Sequence, residues 1–289
     1  MPHDVLVTGC STGIGLAIAR LLAERGVHVF ATVRNDADAS RLSAIDGVEP
    51  VVCDVTDDAH VERLRATIDA RGDGLWGIVH NAGIAHLGHL TTTSQRDMRA
   101  VFEVNVFGVH RVTNALVDLI VASRGRIVTM SSISGTLSSA LMGTYAMTKH
   151  ALEAYTDALA KQLAPLGVHV CAVVPGNFES AIARNAVTRF TPPPDASDEV
   201  AAMFEPGADV SRSRFPGPEP VAMACHAALF DETPLARYLV VPNAEEADLT
   251  LEGAAHEWSR LNASTPHAWS HERLVAALDA GAEGNAGNA

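Results

Sequence analysis

The chain has 289 residues, 47% of them hydrophobic, and a net charge of −13. That length can bury one large core, and most of the charge falls in residues 195–289, where 16 acidic side chains stand against 5 basic ones. The balance argues against nucleic acid and anionic membranes as partners, because both bind basic patches. With no basic stretch leading into a long apolar run, we expect a cytoplasmic protein that does not span a membrane.

Short, valine-rich apolar runs alternate with helical patterns along the chain. The runs are DVLVTG, VHVFATV, VEPVVCD, WGIVHNAG, GRIVTMSS, VHVCAVVPG and ARYLVVP. Each is typical of a strand that is covered on both faces of a parallel sheet. The periodicity between them predicts helices at 13–25, 36–45, 57–71, 94–123, 143–164 and 217–230. We therefore predict an α/β fold, a doubly wound parallel sheet of about seven strands with helices on both faces.

The first run ends in a glycine-rich turn, TGCSTGIG, directly before the first predicted helix. Gly9, Gly13 and Gly15 would let backbone amides and the helix N-terminus approach a phosphate group. Glycines also serve tight turns and close helix packing, so the turn alone does not decide the matter. Its place between the first strand and the first helix is the one that a dinucleotide site requires.

Polar residues or glycine follow the later strands as well. Asp54 ends the third run, Asn81 the fourth, Ser132 the fifth and Gly176 the sixth. Ligands of such sheets bind at the carboxyl ends of the strands, so these positions together outline one site. Taken singly, Asp54 could cap the next helix and Asn81 could make a turn.

Tyr145 and Lys149 lie four residues apart in a predicted helix, in a chain with only three tyrosines and two lysines. Lys149 also starts an apolar stripe, which continues with Leu152, Thr156, Leu159 and Leu163. Lysine is almost never fully buried without a partner. This turn therefore either reaches solvent or places the ammonium group in a cleft, where it has a specific role.

A second apolar stripe runs along the predicted helix 94–123 and carries an amide, Asn105, in its middle. Its other members are Met98, Val101, Val109, Val112, Leu116 and Leu119. A buried amide needs hydrogen-bond partners, so Asn105 is either a structural group or part of a site.

The motifs TGxxxGIG, Asn-Ala-Gly, a serine 13 residues before a tyrosine, and Tyr-x-x-x-Lys follow one another in this order. In them the chain resembles the single-domain short-chain dehydrogenase/reductase family, over residues 4–180 and more weakly to residue 241. Around GCSTGIG and VFATVRN it is similar to the branch that includes hydroxysteroid and retinol dehydrogenases. The resemblance implies a Rossmann fold with a C-terminal extension that covers the substrate.

The resemblance also implies catalytic roles for Asn105, Ser132, Tyr145 and Lys149. Tyr145 would exchange a proton with the substrate oxygen, while Lys149 would lower the tyrosine's pKa and donate to the ribose of the cofactor. Ser132 would hold and polarise the carbonyl group. Asn105 would support a proton relay through water to Lys149, with a satisfied structural amide as the alternative.

The implied cofactor is a nicotinamide dinucleotide, and no metal is expected. The implied binding residues are Gly9, Ser11, Thr12, Gly13, Ile14, Gly15, Arg34, Asp54, Val55, Asn81, Ala82, Gly83, Tyr145, Lys149, Pro175, Gly176, Phe178 and Ser180. Ser180 stands where the family more often has threonine. A hydroxyl group is kept there, and a methyl contact is lost.

The end of the second strand indicates which dinucleotide is used. NAD-selective sites place an acidic residue there, whereas this chain has Val33 followed by Arg34. We expect NADP in preference to NAD, because the guanidinium group of Arg34 suits the 2′-phosphate of NADP. The Ser11 hydroxyl would face the same 2′-phosphate. A surface ion pair of Arg34 with Asp36 or Asp38 is the alternative.

The expected function is therefore NADP(H)-dependent interconversion of a small ketone or aldehyde and an alcohol, in class EC 1.1.1.-. A ketoacyl-carrier-protein reductase is the alternative within enzymes, and a non-catalytic dinucleotide-binding sensor is the alternative outside them. Carrier proteins are acidic and favour basic docking surfaces, which this chain lacks. A sensor would not need all four catalytic residues.

We expect one domain over residues 1–289, with a cofactor and catalytic core at 4–180. Residues 181–289 would carry the substrate-covering segment, the last strand and C-terminal helices. Possible apolar lining residues are Phe178, Phe190, Met203, Phe204 and Phe215, each of which could equally be core.

The helix of Tyr145 has a second small or apolar face, formed by Met147, Ala151, Ala154, Tyr155 and Ala158. This face predicts a homodimer or homotetramer, with internal cover by the C-terminal segment as the alternative.

Overall fold

Seven parallel strands form one sheet in the computed structural model, which describes residues 4–180, 182, 186 and 215–287, the last seven by backbone alone. The strands are β1 (Val5–Val7), β2 (Val29–Val33), β3 (Val48–Val52), β4 (Gly77–His80), β5 (Arg126–Met130), β6 (His169–Pro175) and β7 (Arg237–Val240). Their order is β3-β2-β1-β4-β5-β6-β7, and every neighbouring pair is parallel. All seven predicted strands are confirmed, because continuous apolar runs suit strands covered on both faces.

Helices connect the strands and follow the last of them. They are α1 (Gly13–Glu24), α2 (Asp36–Leu42), α3 (Asp58–Arg71), α4 (Gln95–Phe102), α5 (Gly108–Ser123), α6 (Gly143–Leu163), α7 (Glu219–Phe230), α8 (Ala244–Ala263) and α9 (His271–Gly287). Side chains of Asn35, Asp57, Ser94 and Asn243 cap α2, α3, α4 and α8 by accepting a backbone N–H from the first turn.

The predicted helix 94–123 is interrupted where Asn105 lies. A π-helical turn, Glu103–Phe107, separates α4 from α5. Such a turn adds a residue to the helical repeat and is frequent at functional sites. It turns Asn105 inward without ending the helix, so the buried stripe of Val101, Asn105 and Val109 is kept.

Apolar layers cover both faces of the sheet. On one face, α1 and α7 pack together over a cluster that includes Ile18, Leu22 and Val221. On the other face, residues of α3, α5 and α6 such as Leu64, Leu116 and Leu159 form a second cluster. The stripe that begins at Lys149 is buried throughout; its members are Lys149, Leu152, Thr156, Leu159 and Leu163.

The strand order reverses between β1 and β4, since the chain builds outward to β3 and then returns to the other side of β1. At such a switch point the connections leave in opposite directions and a crevice opens at the carboxyl edge. The predicted doubly wound fold is confirmed. The division at residue 180 stays a prediction, because residues 181, 183–185 and 187–214 lie outside the described residues.

Candidate active site

A cavity of about 860 Å³ opens along the carboxyl ends of β1 to β6. All the predicted cofactor-binding residues line it, from Gly9 after β1 to Ser180 beyond β6. Ser132 lines it too, whereas Asn105 lies behind the wall. The fold thus brings residues from six separate loops to one site.

The glycine turn after β1 has the backbone that its sequence predicts. Gly9 and Gly13 have φ angles of +74° and +58°, in the left-handed region that favours glycine. Gly9 donates its N–H to Thr32 Oγ1 at 3.0 Å, and a Cβ on Gly9 would lie 2.8 Å from Ala82 Cα. The turn is therefore fixed against both β2 and the loop after β4.

Asn81 ties the loop after β4 to the same turn. Its Nδ2 donates to Thr8 O at 2.9 Å and to Gly9 O at 3.0 Å. A Cβ on Gly15 would overlap both Asn81 Nδ2 and Gly9 O, so the start of α1 must be glycine to pack this closely. Asn81 is therefore a cross-link between two loops rather than a simple turn residue.

Asp54 does not cap α3, because Asp57 does so by accepting from His60 N at 3.1 Å. The Asp54 carboxylate instead accepts from the backbone N–H and the hydroxyl of Thr56, at 2.9 and 2.8 Å. This turn holds Asp54 at the cavity wall, beside Val55.

Tyr145 and Lys149 both line the cavity from α6. The Lys149 side chain is only 4% exposed; its Nζ donates to Met130 O at 2.6 Å and lies 5.4 Å from the centre of the Tyr145 ring. Burial lowers the pKa of Lys149 to about 8, and the nearby charge of Glu153 opposes that shift. The lysine is thus a buried cation beside the tyrosine, which decides the choice left open by the sequence.

Two serines end β5 at the cavity. Ser132 Oγ accepts from Ser134 N at 3.1 Å, a bond that does not use the hydroxyl hydrogen. Ser131 Oγ is buried and lacks a hydrogen-bond partner within the part of the chain that the structure describes. Both line the cavity, and a substrate oxygen could accept from Ser132.

The Asn105 side chain holds two elements together. Its Oδ1 accepts from Ile84 N at 2.8 Å, and its Nδ2 donates to Ile84 O at 2.9 Å and to Thr148 Oγ1 at 3.0 Å. Thr148 in turn donates to Tyr145 O at 2.7 Å. Both amide hydrogens are engaged, which is the arrangement of the structural alternative; a role in a proton relay stays a prediction.

At the β2 end of the cavity, Val33 is buried and Arg34 is exposed, and both line it. In the described part of the chain, Arg34 forms no ion pair with Asp36 or Asp38. Arg41 pairs with Asp38 instead, and also donates to Ser11 O at 3.0 Å. Arg41 could not be predicted from the sequence, because the position of its guanidinium group depends on how α2 is oriented.

The far end of the cavity includes residues that the sequence did not single out, among them Leu137, Asn177 and Leu249. Of the possible apolar lining residues, Phe178 lines the cavity and Phe215 does not. Phe190, Met203 and Phe204 lie outside the described residues.

The residues present fit a dinucleotide. Thr12 makes no side-chain cap at the start of α1, and the first turn of α1 carries no acidic residue, so its N–H groups are left for a phosphate. The described residues hold no cluster of three or more metal-ligating side chains.

A doubly wound sheet with this turn and this tyrosine–lysine pair defines a nucleotide-binding oxidoreductase. The model of the short chain dehydrogenase family matches residues 3–189, and the chain belongs to that family. An uncharacterized oxidoreductase of Escherichia coli K12, YbbO, is 35% identical over 242 residues, which cover 83% of this chain and 86% of that protein.

Two further proteins illustrate the range of relatives. Retinol dehydrogenase 16 of Rattus norvegicus is 36% identical over 189 residues, which cover 64% of this chain and 59% of that one. The solved structure of an actinorhodin polyketide ketoreductase variant with NADPH is 27% identical, with a TM-score of 0.71, and covers 83% of this chain and 95% of that one.

Proposed function

We propose that the protein is an NADP(H)-dependent oxidoreductase that interconverts a ketone or aldehyde and an alcohol, with Tyr145 as the proton donor and acceptor. The observation that carries the proposal is one continuous cavity that is lined both by the glycine turn and by Ser132, Tyr145 and Lys149. A dinucleotide held by the turn would reach these three side chains. A nicotinamide, when bound, supplies or accepts a hydride.

The three side chains supply what is needed at the substrate oxygen. A free phenol with a pKa of about 10 releases its proton slowly near neutrality. The buried charge of Lys149 favours the phenolate form of Tyr145, which brings proton transfer closer to neutral pH. The Ser132 hydroxyl donates to the same oxygen and favours the build-up of negative charge there.

The walls around Tyr145 favour an uncharged, apolar substrate. The described residues that line this end include Leu87, Leu137, Met142, Phe178, Ile182 and Leu249. The cations among the described lining residues are Lys149, which the mechanism uses, and Arg34, which lies at the β2 end. A carbonyl compound with an apolar substituent fits such walls, because apolar burial supplies the binding energy.

A substrate panel tests the proposal. Steroids, retinoids, and aliphatic and aryl ketones are offered with NADPH, whose oxidation is followed by its absorbance. We expect turnover, with a lower KM for the more apolar ketones than for keto acids of equal length. Tight binding of NADPH without turnover of any compound would support the sensor instead.

Cofactor preference gives a prediction at the β2 end. A hydrogen bond to a charged group is worth roughly 1.5–3 kcal/mol, so Arg34 alone would give about a 10- to 100-fold preference for NADPH over NADH in kcat/KM. We expect Arg34→Ala to remove that preference. Val33→Asp should reverse it, because a carboxylate repels the 2′-phosphate.

Arg20→Ala is the matched control, because Arg20 is an exposed arginine of α1 outside the cavity wall. It should leave kcat/KM unchanged with both NADPH and NADH. A wild-type enzyme that favours NADH, or an Arg34→Ala variant with unchanged NADPH kinetics, would contradict the assignment.

We also propose that the protein is a homodimer or homotetramer through α5 and α6. The stretch Gln95–Ser123 is long and apolar enough to cross a membrane by length and composition, yet only 33% of its most apolar window is buried. Phe107, in the π-helical turn that leads into α5, and Met147 of α6 are 52% and 42% exposed, and the π-helical turn packs against α6. A second copy covering this face would remove that apolar surface from water.

Light scattering of the purified protein should give the mass of two or four chains. The double change Phe107→Glu with Met147→Glu should lower the mass to that of one chain, whereas Leu261→Glu, at an exposed position of α8, should not. A wild-type protein that scatters as a monomer would rule out this assembly.

A further inference from the structure

Two hydrogen bonds join the loop after β6 to the first turn of α8. Asn177 donates from its backbone N to Glu246 Oε2 at 2.9 Å and from Nδ2 to Glu246 Oε1 at 2.8 Å. Both oxygens of one carboxylate are thus held by one residue, 69 positions away in the chain. We call this pair the Asn177–Glu246 clamp.

Hydrogen bonds at the start of α8 hold the backbone of Glu246. Its backbone N donates to the cap residue Asn243 at 2.9 Å, and Thr250 Oγ1 donates to its carbonyl oxygen at 2.7 Å. Its negative charge also lies in the first turn of α8, where the helix dipole favours an anion. The backbone that carries the carboxylate is therefore held in place by its own helix and its cap.

The loop fits the carboxylate closely. Gly176 still belongs to the sheet, since its N donates to Val240 O at 2.8 Å. A Cβ on Gly176 would overlap Glu246 Oε2, so any other residue there would displace the carboxylate from its place beside Asn177. The position of this loop is consequently set by α8 as well as by β7.

Residues on both sides of the clamp line the cavity, although Glu246 itself does not. Gly176 and Asn177 belong to its wall, and so does Leu249, which follows Glu246 by three residues and is 57% exposed. Farther along α8, Gly253 packs so closely on Leu137, another wall residue, that a Cβ there would overlap it. Helix α8 thus spans the far end of the cavity, from the β6 loop to the turn after Ser132.

We infer that Glu246 is a positioning residue: its carboxylate fixes the loop after β6 and holds Leu249 of α8 over the substrate. The inference rests on the proposed function. Loosening the clamp would disturb the substrate end of the cavity and leave the end near Arg34 unchanged. The expected signature is a KM for the carbonyl substrate that rises by more than the dissociation constant for NADPH, because the loop after β6 also carries Gly176 and Phe178 of the predicted cofactor site.

Exchanging the two side chains gives a test that separates this role from general stability. Glu246→Gln sets an NH₂ group against a donor of Asn177, and Asn177→Asp sets two carboxylates against each other. The double variant exchanges donor and acceptor, so the new glutamine can donate to the new aspartate and still accept from the backbone N–H of residue 177. Glu245→Gln, at an exposed neighbour on the same helix, is the matched control.

We expect each single variant to raise the KM of an apolar ketone by roughly 10- to 100-fold, the size of a lost hydrogen bond to a charged group. The double variant should bring the KM most of the way back to the wild-type value, and the Glu245→Gln control should have the wild-type KM. NADPH binding, measured by fluorescence titration, should weaken by less than the KM rises in each single variant and stay at the wild-type value in the Glu245→Gln control.

Amide hydrogen exchange of the cofactor-free protein provides a readout that does not depend on activity. The N–H of residue 177 should exchange faster in Glu246→Gln and return to the wild-type rate in the double variant. An unchanged exchange rate in Glu246→Gln would overturn the clamp, whether or not the protein proves to be a reductase. Faster exchange with an unchanged KM in an active enzyme would overturn the positioning role.

Discussion

Tyr145→Phe should lower kcat for ketone reduction by about 10²- to 10⁴-fold, the usual contribution of general acid–base catalysis, and leave NADPH affinity nearly unchanged. The substitution removes the transferable proton and keeps the ring that Lys149 faces at 5.4 Å. The ring is only 7% exposed, so its packing against neighbours such as Ala85 should survive. Stopped-flow or steady-state kinetics with a panel substrate measures the loss.

Tyr155→Phe is the matched control, because Tyr155 lies on the same helix and its ring faces His110 rather than the cavity. It should retain wild-type kcat. A Tyr145→Phe variant with more than about a tenth of wild-type activity would remove Tyr145 from the proton-transfer role.

Lys149→Met should abolish most turnover and, at neutral pH, stabilise the fold. Burial lowers the pKa of Lys149 from 10.5 to about 8, so below pH 8 the folded state carries a buried charge that the unfolded chain keeps in water. The free-energy cost of burying this charge applies in full below pH 8 and shrinks between pH 8 and 10.5. Above pH 10.5 it is absent, because the lysine is then neutral in both states. At pH 7 it is worth on the order of 3 kcal/mol, which the orphaned carbonyl of Met130 would reduce.

Urea unfolding followed by tryptophan fluorescence at pH 7 and pH 10 measures this difference. We expect the variant to be the more stable protein at pH 7 and its advantage to decline at pH 10. Lys161→Met is the control, because Lys161 is the other lysine of α6 and is exposed. The stability of this variant relative to wild type should not depend on pH in this way. A variant that is less stable than wild type at pH 7 would show that the buried ammonium group contributes net stability to the fold.

Local patterns predicted most of the fold. Each strand is a continuous apolar run, and each cavity-forming loop begins where such a run ends, so the carboxyl edge could be located from the sequence. The glycine turn, Tyr145 and Lys149 are recognisable for the same reason: their function depends on spacing within one loop or one helical turn. The switch point then brings these loops together.

The features that the sequence did not predict depend on distant contacts or fine geometry. An apolar stripe looks the same through a π-helical turn as through an α-helical one, so the interruption at Asn105 could not be seen. Asp54 was a reasonable cap by residue type, yet α3 begins later and Asp57 takes that place. Helix capping is set by where the helix starts, which patterns locate only within a few residues.

Glu246 shows the same limit more clearly. It stands among the acidic residues of the last third, which are typical of a solvated surface. Only the fold shows that its carboxylate faces Asn177, 69 positions earlier, rather than water. Long-range pairing of this kind leaves no periodic signal along the chain.

Transfer of deuterium tests the central claim most directly. The wild-type protein is incubated with an apolar ketone and NADPH that carries deuterium at the transferable position, and the product is analysed by mass spectrometry. We predict an alcohol with one deuterium on the carbinol carbon, formed in equal amount to the NADPH consumed, and about a hundredth of that amount or less with Tyr145→Phe over the same time. A protein that binds NADPH but transfers no label to any ketone or aldehyde of the panel would contradict the proposed function.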